Sequence, residues 1–240
     1  MTSDVRFEPI HRRLLCARLQ TLVVDRVVAM LLWINGPFGG GKTQTAFELH
    51  RRLPGSIVCD PEAVGYGLHR MMPPRLRADF QDYPSWRQGV FEVLDHVLRE
   101  HDGVVIAPMT VAEPRYFAET VGRLRETGHD VRHFALLARR ETVLDRLRDR
   151  GLGFAPILRA VGQGDLLLRA EQFAVDRLDF CLEQLSKPEF ADHIWTDTTP
   201  VPAVADRIAD TVGVRLAPDT DGRMRGRLRR MAVTVRHARL

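Results

Sequence analysis

From Met30 onward, short apolar runs alternate with longer stretches whose apolar residues recur at helical spacing. Leu31–Asn35 reads as a first strand. A glycine-rich turn follows, then a helix from about Lys42 to Leu53, stopped by Pro54-Gly55. Ser56–Asp60 reads as the second strand, and an irregular stretch rich in Pro, Gly and Arg runs to Pro84. Ser85 and Gln88 have capping-box spacing and predict a helix to about Glu100. The third strand, Gly103–Met109, is nearly all apolar, as a strand covered on both faces must be. A helix from Pro114 to Thr127 ends at Gly128, the fourth strand is Val131–Ala138, and a helix from Glu141 to Arg150 ends at Gly151. Leu166–Leu185 predicts a long amphipathic helix with Phe173, Ala174, Leu178, Cys181, Leu182 and Leu185 on its apolar face. His193–Thr196 is the fifth strand, and Val201–Val212 is a last helix ended by Gly213. Strands alternating with helices predict one three-layer α/β domain over residues 30–213, built on a five-stranded parallel sheet.

The ends differ from this pattern. Residues 1–29 form an N-terminal extension without a clear strand or motif, although His11 to Val28 fits a helix. Residues 214–240 form a basic tail, with seven arginines in residues 222–240 and no acid after Asp221. Within it Met224, Leu228, Met231, Val235 and Ala238 recur at spacings of four and three, a stripe on one helix face flanked by arginine. Such a helix suits an anionic membrane surface, and packing of the stripe on the core is the competing reading.

Bulk properties narrow the classes. The chain has 240 residues, 45% of them hydrophobic and 28% charged, enough for one sizeable core and unlike a disordered chain. The net charge of +4 suits anionic ligands without choosing among them. Cys16, Cys59 and Cys181 form no CxxC pair, so neither a disulfide framework nor a structural zinc site is expected, and a reducing cytoplasm is the default. No apolar run is long enough to span a membrane, and Asp25 and Arg26 interrupt the only stretch resembling a secretory signal. The expected location is cytoplasmic, with the tail allowing a peripheral place on the inner membrane face.

The chemistry concentrates in Gly36-Pro37-Phe38-Gly39-Gly40-Gly41-Lys42-Thr43, which fits G-x-x-x-x-G-K-[ST] at every fixed position, after an apolar strand and at the start of a helix. Glycines let the backbone curl around a phosphate without a clashing Cβ, and the helix N-terminus adds unpaired N–H groups and a positive dipole end. Lys42 is expected to bridge the β- and γ-phosphates of ATP, and Thr43 to give its hydroxyl oxygen to Mg²⁺. The chain has only two lysines, Lys42 and Lys187, against thirty-three arginines, and one of the two falls where a compact ammonium is needed.

The segment MLLWINGPFGGGKTQTAFELHRRL (residues 30–53) closely resembles the bacterial tunicamycin-resistance ATP-binding protein family. Asp60-Pro61-Glu62, Asp79–Pro84 with Trp86-Arg87, Ala107–Thr110, Glu141-Thr142 with Arg146-Leu147-Arg148, and Asp192–Ile194 with Thr196-Asp197 are similar too. The resemblance covers about Met30 to the C-terminus. It implies the P-loop, nucleoside-monophosphate-kinase-like fold with strand order 2-3-1-4-5, a lid around residues 139–165, and resistance to tunicamycin, a uracil-containing, lipid-tailed nucleoside antibiotic. It leaves open whether the drug is phosphorylated or only bound.

A kinase acting on a hydroxyl needs a carboxylate to accept or orient its proton, at the carboxyl end of a strand. Asp60 resembles the acid that related small-molecule kinases place there; a turn-forming Asp before Pro is the alternative. Strand 3 ends Ala107-Pro108-Met109-Thr110 without the acid many P-loop enzymes carry, so Asp60 is also a candidate to orient Mg²⁺. Glu62 is a second acid at the substrate. Arg146 and Arg150 share a helix face where related kinases begin the lid, and are candidates for phosphate contact, against a solvated charged face. Arg87 is a candidate to face the acceptor, and Tyr83 or Trp86 to stack on uracil, with surface exposure and core packing as the alternatives. Thr196 and Asp197 lie where related folds place adenine, or cap a helix. His133 and His193 read as strand residues.

Three functions compete. The first is an ATP- and Mg²⁺-dependent kinase for a small molecule. The second is an ATP-binding protein that sequesters the drug or alters permeability without phosphoryl transfer. The third, a nucleic-acid-associated ATPase, lacks any recognisable nucleic-acid-binding motif, and no nucleic-acid partner is expected.

Overall fold

The computed structural model describes residues 29–149, 172–190, 192–222, 225–226, 228–229 and 231–233. Five parallel strands form one sheet: β1 (Met30–Asn35), β2 (Ile57–Val58), β3 (Val104–Pro108), β4 (Asp130–Leu137) and β5 (His193–Trp195), in the order β2-β3-β1-β4-β5. This is the order implied by the family resemblance. In register, Met30 stands beside Val104 on one side and Asp130 on the other, so β1 is central.

Alternation along β1 builds two cores from one strand. Leu32 and Ile34 face α1 (Lys42–Arg52) and the last helix, α7 (Val201–Val212), through Ala46, Leu49, Val204, Ala205 and Ile208. Leu31 and Trp33 face the opposite layer, which holds Trp86, Val90, Phe91 and Leu94 of α3 (Pro84–Glu100). Phe117, Val121 and Leu124 of α4 (residues 114–126) and Cys181 and Leu185 of α6 (Leu178–Leu185) complete that layer. Both faces of the sheet are covered, as the apolar third strand required. A third cluster joins α5 (residues 140–149) to the segment entering α6 through Val143, Leu147, Ala174 and Leu178.

The structure corrects four local expectations. The stretch after β2 is not irregular: α2 (Glu62–Met71) and single 3₁₀ turns at Pro74–Leu76 and Phe80–Asp82 fill it. Two glycines, Gly65 and Gly67, hid this helix from a propensity reading. Ser85 is not a cap, because α3 starts at Pro84 with Tyr83 at its N-cap and no capping side chain. The helix at 114–126 contains a π-helical stretch, Ala118–Gly122. The long amphipathic helix is described from Gln172 and breaks at Arg177 between residues 172–176 and α6. The stops at Gly128 and Gly213 have φ of 90° and 73°, the left-handed conformation glycine adopts without a Cβ penalty.

After α7 the chain is fastened to α1. The backbone N–H of Ala217 donates to the Arg52 carbonyl at 2.7 Å, and Arg52 Nε donates back to the Ala217 carbonyl at 2.8 Å. Arg51 pairs with Asp219 at 2.8 Å. Beyond, residues 225–226, 228–229 and 231–233 are helical. There Leu228 is 64% and Met231 52% exposed, so this part of the apolar stripe does not pack on the core. Residues 1–28, Arg150 and most of the expected lid lie outside the described residues. Among the described residues no helix is long and apolar enough to cross a membrane.

Candidate functional site

β1 delivers the glycine-rich loop to the carboxyl edge of the sheet, where neighbouring strands diverge in sequence and ligands of open α/β sheets bind. Asn35, the last residue of β1, fixes the start of the loop. Its Oδ1 accepts from the backbone N–H groups of Gly36 (2.9 Å) and Val111 (3.0 Å), and its Nδ2 donates to the Val111 carbonyl at 2.8 Å. Thr110 Oγ1 donates to the Gly36 carbonyl at 2.8 Å. The segment after β3 therefore carries a clamp on the loop at the place where an acid was missed. Gly36 is required because a Cβ would stand 2.6 Å from the Leu136 carbonyl oxygen.

Gly41 caps α1 with φ 92° and no capping side chain, and a Cβ there would point into open space. The first turn of α1 contains no acid. Lys42 is 7% exposed; its Nζ donates to the Pro37 carbonyl at 3.0 Å and lies 5.6 Å from the centre of the Phe38 ring. Gly39 and Gly40 complete the curl, and Thr43 follows Lys42 in the first turn.

Asp60 leaves β2 on the same edge. Its Oδ1 accepts from the Glu62 backbone N–H at 2.9 Å, so it does form the turn into α2. Burial, and next the Glu62 carboxylate, push its carboxyl up to about 6, against the opposing pull of the Glu62 N–H and Lys42. The turn-forming alternative is thus present, on a side chain whose carboxyl is also raised. One turn on, Tyr66 Oη donates to Glu62 Oε2 at 3.2 Å.

The other candidates are placed differently. Trp86 is fully buried, and its Nε1 donates to the Pro61 carbonyl at 3.1 Å; it anchors the Asp60-Pro61 turn and offers no face to a base. Tyr83 Oη donates to the Leu76 carbonyl and accepts from the Ala78 N–H, both at 2.8 Å, closing the 3₁₀ segment on itself. Arg87 is buried, paired with Glu119, bonded to the Gln81 carbonyl, and stacked 4.4 Å from the Tyr116 ring. It holds the Gln81 turn to α4.

Arg146 donates to Thr196 Oγ1 at 3.0 Å and to the Thr196 carbonyl, tying α5 to the end of β5. Asp197 accepts from the Arg139 N–H at 3.0 Å and from Thr142 Oγ1 at 2.7 Å, and the Thr142 bond leads the causes that lower its pKa. Thr196 and Asp197 thus brace the start of α5, the helix-cap alternative. His133 and His193 lie in β4 and β5 as expected.

Sequence reasoning passed over three site residues. Asn35 was legible as the one polar residue of an apolar strand, directly before the loop. Asp79 stood only within the family-like stretch Asp79–Pro84, and Arg177 carried no local signal. They are 98 positions apart, yet Arg177 donates to Asp79 Oδ2 at 2.7 Å.

A family model described as an AAA domain matches residues 31–157. The chain is similar to the tunicamycin resistance protein of Deinococcus radiodurans, with 33% identity, a TM-score of 0.61, and cover of 79% of this chain and 99% of that one. It is similar in fold to the APS kinase of Mycobacterium tuberculosis solved with AMPPNP and APS, with 16% identity, a TM-score of 0.50, and cover of 77% and 98%. A gluconokinase of Sinorhizobium meliloti is similar at 14% identity and a TM-score of 0.50, with cover of 78% and 97%. No curated protein matches the sequence. With its kinase-like P-loop fold and its identity to the Deinococcus protein over nearly that protein's whole length, the chain belongs to the tunicamycin-resistance protein family.

Proposed function

We propose that this protein is an ATP-dependent kinase that transfers the γ-phosphoryl group to a hydroxyl of a small nucleoside-type acceptor such as tunicamycin. The observation that carries the reading is the juxtaposition of Lys42 in the glycine-rich loop with Asp60, whose carboxyl stands at about 6. A general base works best with a pKa near the operating pH, and burial has moved this acid most of the way there. A sequestering protein needs the loop for nucleotide but has no use for a base beside it.

The residues present fit a nucleoside triphosphate. The uncapped start of α1, the open space at Gly41 and the absence of acid from the first turn leave a positive helix end for an anion. Lys42 would exchange its bond to the Pro37 carbonyl for β- and γ-phosphate oxygens. Thr43 and Asp60 would hold Mg²⁺, which supplies charge neutralisation on the phosphates. No cluster of three acidic, His or Cys ligands exists among the described residues, which suits an ion held mainly by phosphate and water. Asp60 then orients the acceptor hydroxyl and takes its proton, while Glu62 and Tyr66, bonded to each other, line the same side.

The acceptor side supports a neutral, hydroxyl-bearing substrate. Asp60 and Glu62 stand there, whereas Arg87, which would suit a phosphorylated acceptor, is committed to Glu119. We also propose that the tail rests on an anionic membrane surface, supported by the exposure of Leu228 and Met231 among arginines. That would bring the site to a lipid-tailed drug at the bilayer.

ADP release tests the reading. Tunicamycin should stimulate ADP formation from ATP by the wild-type protein. Lys42→Ala should lower that rate roughly 10²–10³-fold, the usual cost of one preorganised charge contact. ADP formation that ignores the drug, or survives the substitution, would contradict it.

A further inference from the structure

The loop lysine and the acceptor side are joined by a ladder of side chains that the proposed reaction does not yet use. Lys42 Nζ lies 5.6 Å from the Phe38 ring centre, the Phe38 and Phe173 rings meet edge-on at 5.7 Å, and the Arg177 guanidinium lies 5.5 Å from Phe173. Arg177 sits at the break before α6, its N–H still bonded to the Phe173 carbonyl at 3.1 Å. Its guanidinium ends on Asp79, which is held in place by accepting from the Gln81 N–H at 3.0 Å. Asp79 opens the 3₁₀ turn of Phe80, and Phe80 packs on Gly65 of α2, where a Cβ would meet the ring at 2.5 Å. The pair thus connects the segment that leads out of the expected lid to the segment that carries the acceptor-side acids.

Exposure within the pair is unequal: the Arg177 side chain is 40% exposed and Asp79 only 10%. Arg177 can swing while Asp79 stays. Cys181, one turn on, is raised first by burial; the charges of Lys42 and Arg177 pull its thiol down and Asp79 pushes it up, so all three surround one buried group.

We propose that Asp79 and Arg177 form an exchange latch that reads the γ-phosphate. Without nucleotide, Asp79 holds Arg177. With ATP, Arg177 leaves Asp79 for the γ-phosphate and acts as the second cation beside Lys42, and Asp79 is left facing the acceptor. Phosphate competes well for a planar guanidinium, because two parallel N–H bonds match its oxygens. Arg146 cannot take this role while it braces Thr196, and Arg87 cannot while it is buried on Glu119. ADP lacks the group that Arg177 reads, so the latch separates triphosphate from diphosphate. The inference rests on the proposed ATP site, and its test is a binding measurement that needs no acceptor.

Calorimetric titration of the full chain with Mg·ATP and Mg·ADP decides it. Arg177→Gln should weaken ATP binding about tenfold or more and leave ADP nearly unchanged, as loss of a charged hydrogen-bonded contact to the γ-phosphate requires. Asp79→Asn should tighten ATP binding by about twofold to fivefold, the worth of a half-exposed ion pair, again with ADP unchanged. In the double variant Asp79→Asn should add nothing, since the competitor matters only through Arg177. Should Arg177→Gln prove poorly folded by thermal melting, Arg177→Lys keeps the charge without the fork and should retain only part of the preference for ATP. Equal loss of ATP and ADP in the Arg177 variants, or no gain in ATP affinity from Asp79→Asn, overturns the latch. Wild-type ATP binding by Lys42→Ala would instead overturn the nucleotide site itself.

Discussion

At the scale of single residues, the Asp60 carboxyl is costly to keep charged. Its pKa of about 6 exceeds the ordinary value of 3.8, so the folded state binds a proton more tightly than the unfolded chain does. The sign follows: ionised Asp60 opposes folding, its penalty grows as pH rises from about 4 to 6, and it is complete above that. At pH 7.5 in the absence of ligand it amounts to on the order of 3 kcal/mol. Asp60→Asn should therefore raise the melting temperature at pH 7.5, with little change at pH 4, while lowering the transfer rate severely and sparing ATP binding. The wild-type rate should climb with pH through about 6, and the variant's residual rate should lack that limb. A destabilised variant with a normal rate would make Asp60 only the turn residue before Pro61. The residue scale also marks the limits of sequence reading. The glycine-rich turn and the Asp60 turn were legible because their spacing is local. Trp86 takes the core-packing alternative, and the commitments of Arg87 to Glu119 and Arg146 to Thr196 are decided by tertiary partners no local pattern records.

At the scale of elements, strands were legible to within a residue or two, because an apolar run flanked by turn residues is one signal. The helix Glu62–Met71 was missed, because Gly65 and Gly67 lower its propensity; Gly65 exists so that Phe80 can lie against the helix. The tail presents apolar side chains to solvent. Its stripe is exposed at Leu228 and Met231, and the chain before it is pinned to α1 by Arg51 and Arg52. Attraction to anionic lipid is about 1 kcal/mol per basic residue near the surface, so several arginines outweigh a short stripe. Full-length protein should sediment with phosphatidylserine-containing vesicles and not with neutral ones, and salt should release it. Leu228→Ser with Met231→Ser should weaken binding modestly, and a chain ending at Asp221 should lose it. Equal sedimentation of the shortened and full chains would assign any membrane contact to another surface.

At the scale of the whole molecule, strand order explains why these residues meet. β1 lies between β3 and β4, so the loop it carries is clamped by Asn35 and Thr110 from one side and backed by Leu136 from the other. β2 lies beyond β3 and brings Asp60 to the same edge, and the α2 segment stands over it. Arg177, at the break before α6, donates to Asp79 from a distant part of the chain. One end of the sheet thus gathers the glycine-rich loop and the raised Asp60 carboxyl, while the fastened tail follows from the end of α1. The measurement that tests this account most directly is the mass of the drug. Tunicamycin incubated with the protein, ATP and Mg²⁺ should gain the mass of one phosphoryl group, with one ADP formed for each, and should gain nothing with Lys42→Ala. Drug recovered unchanged while bound to the ATP-loaded protein would contradict phosphoryl transfer and leave sequestration as the basis of resistance.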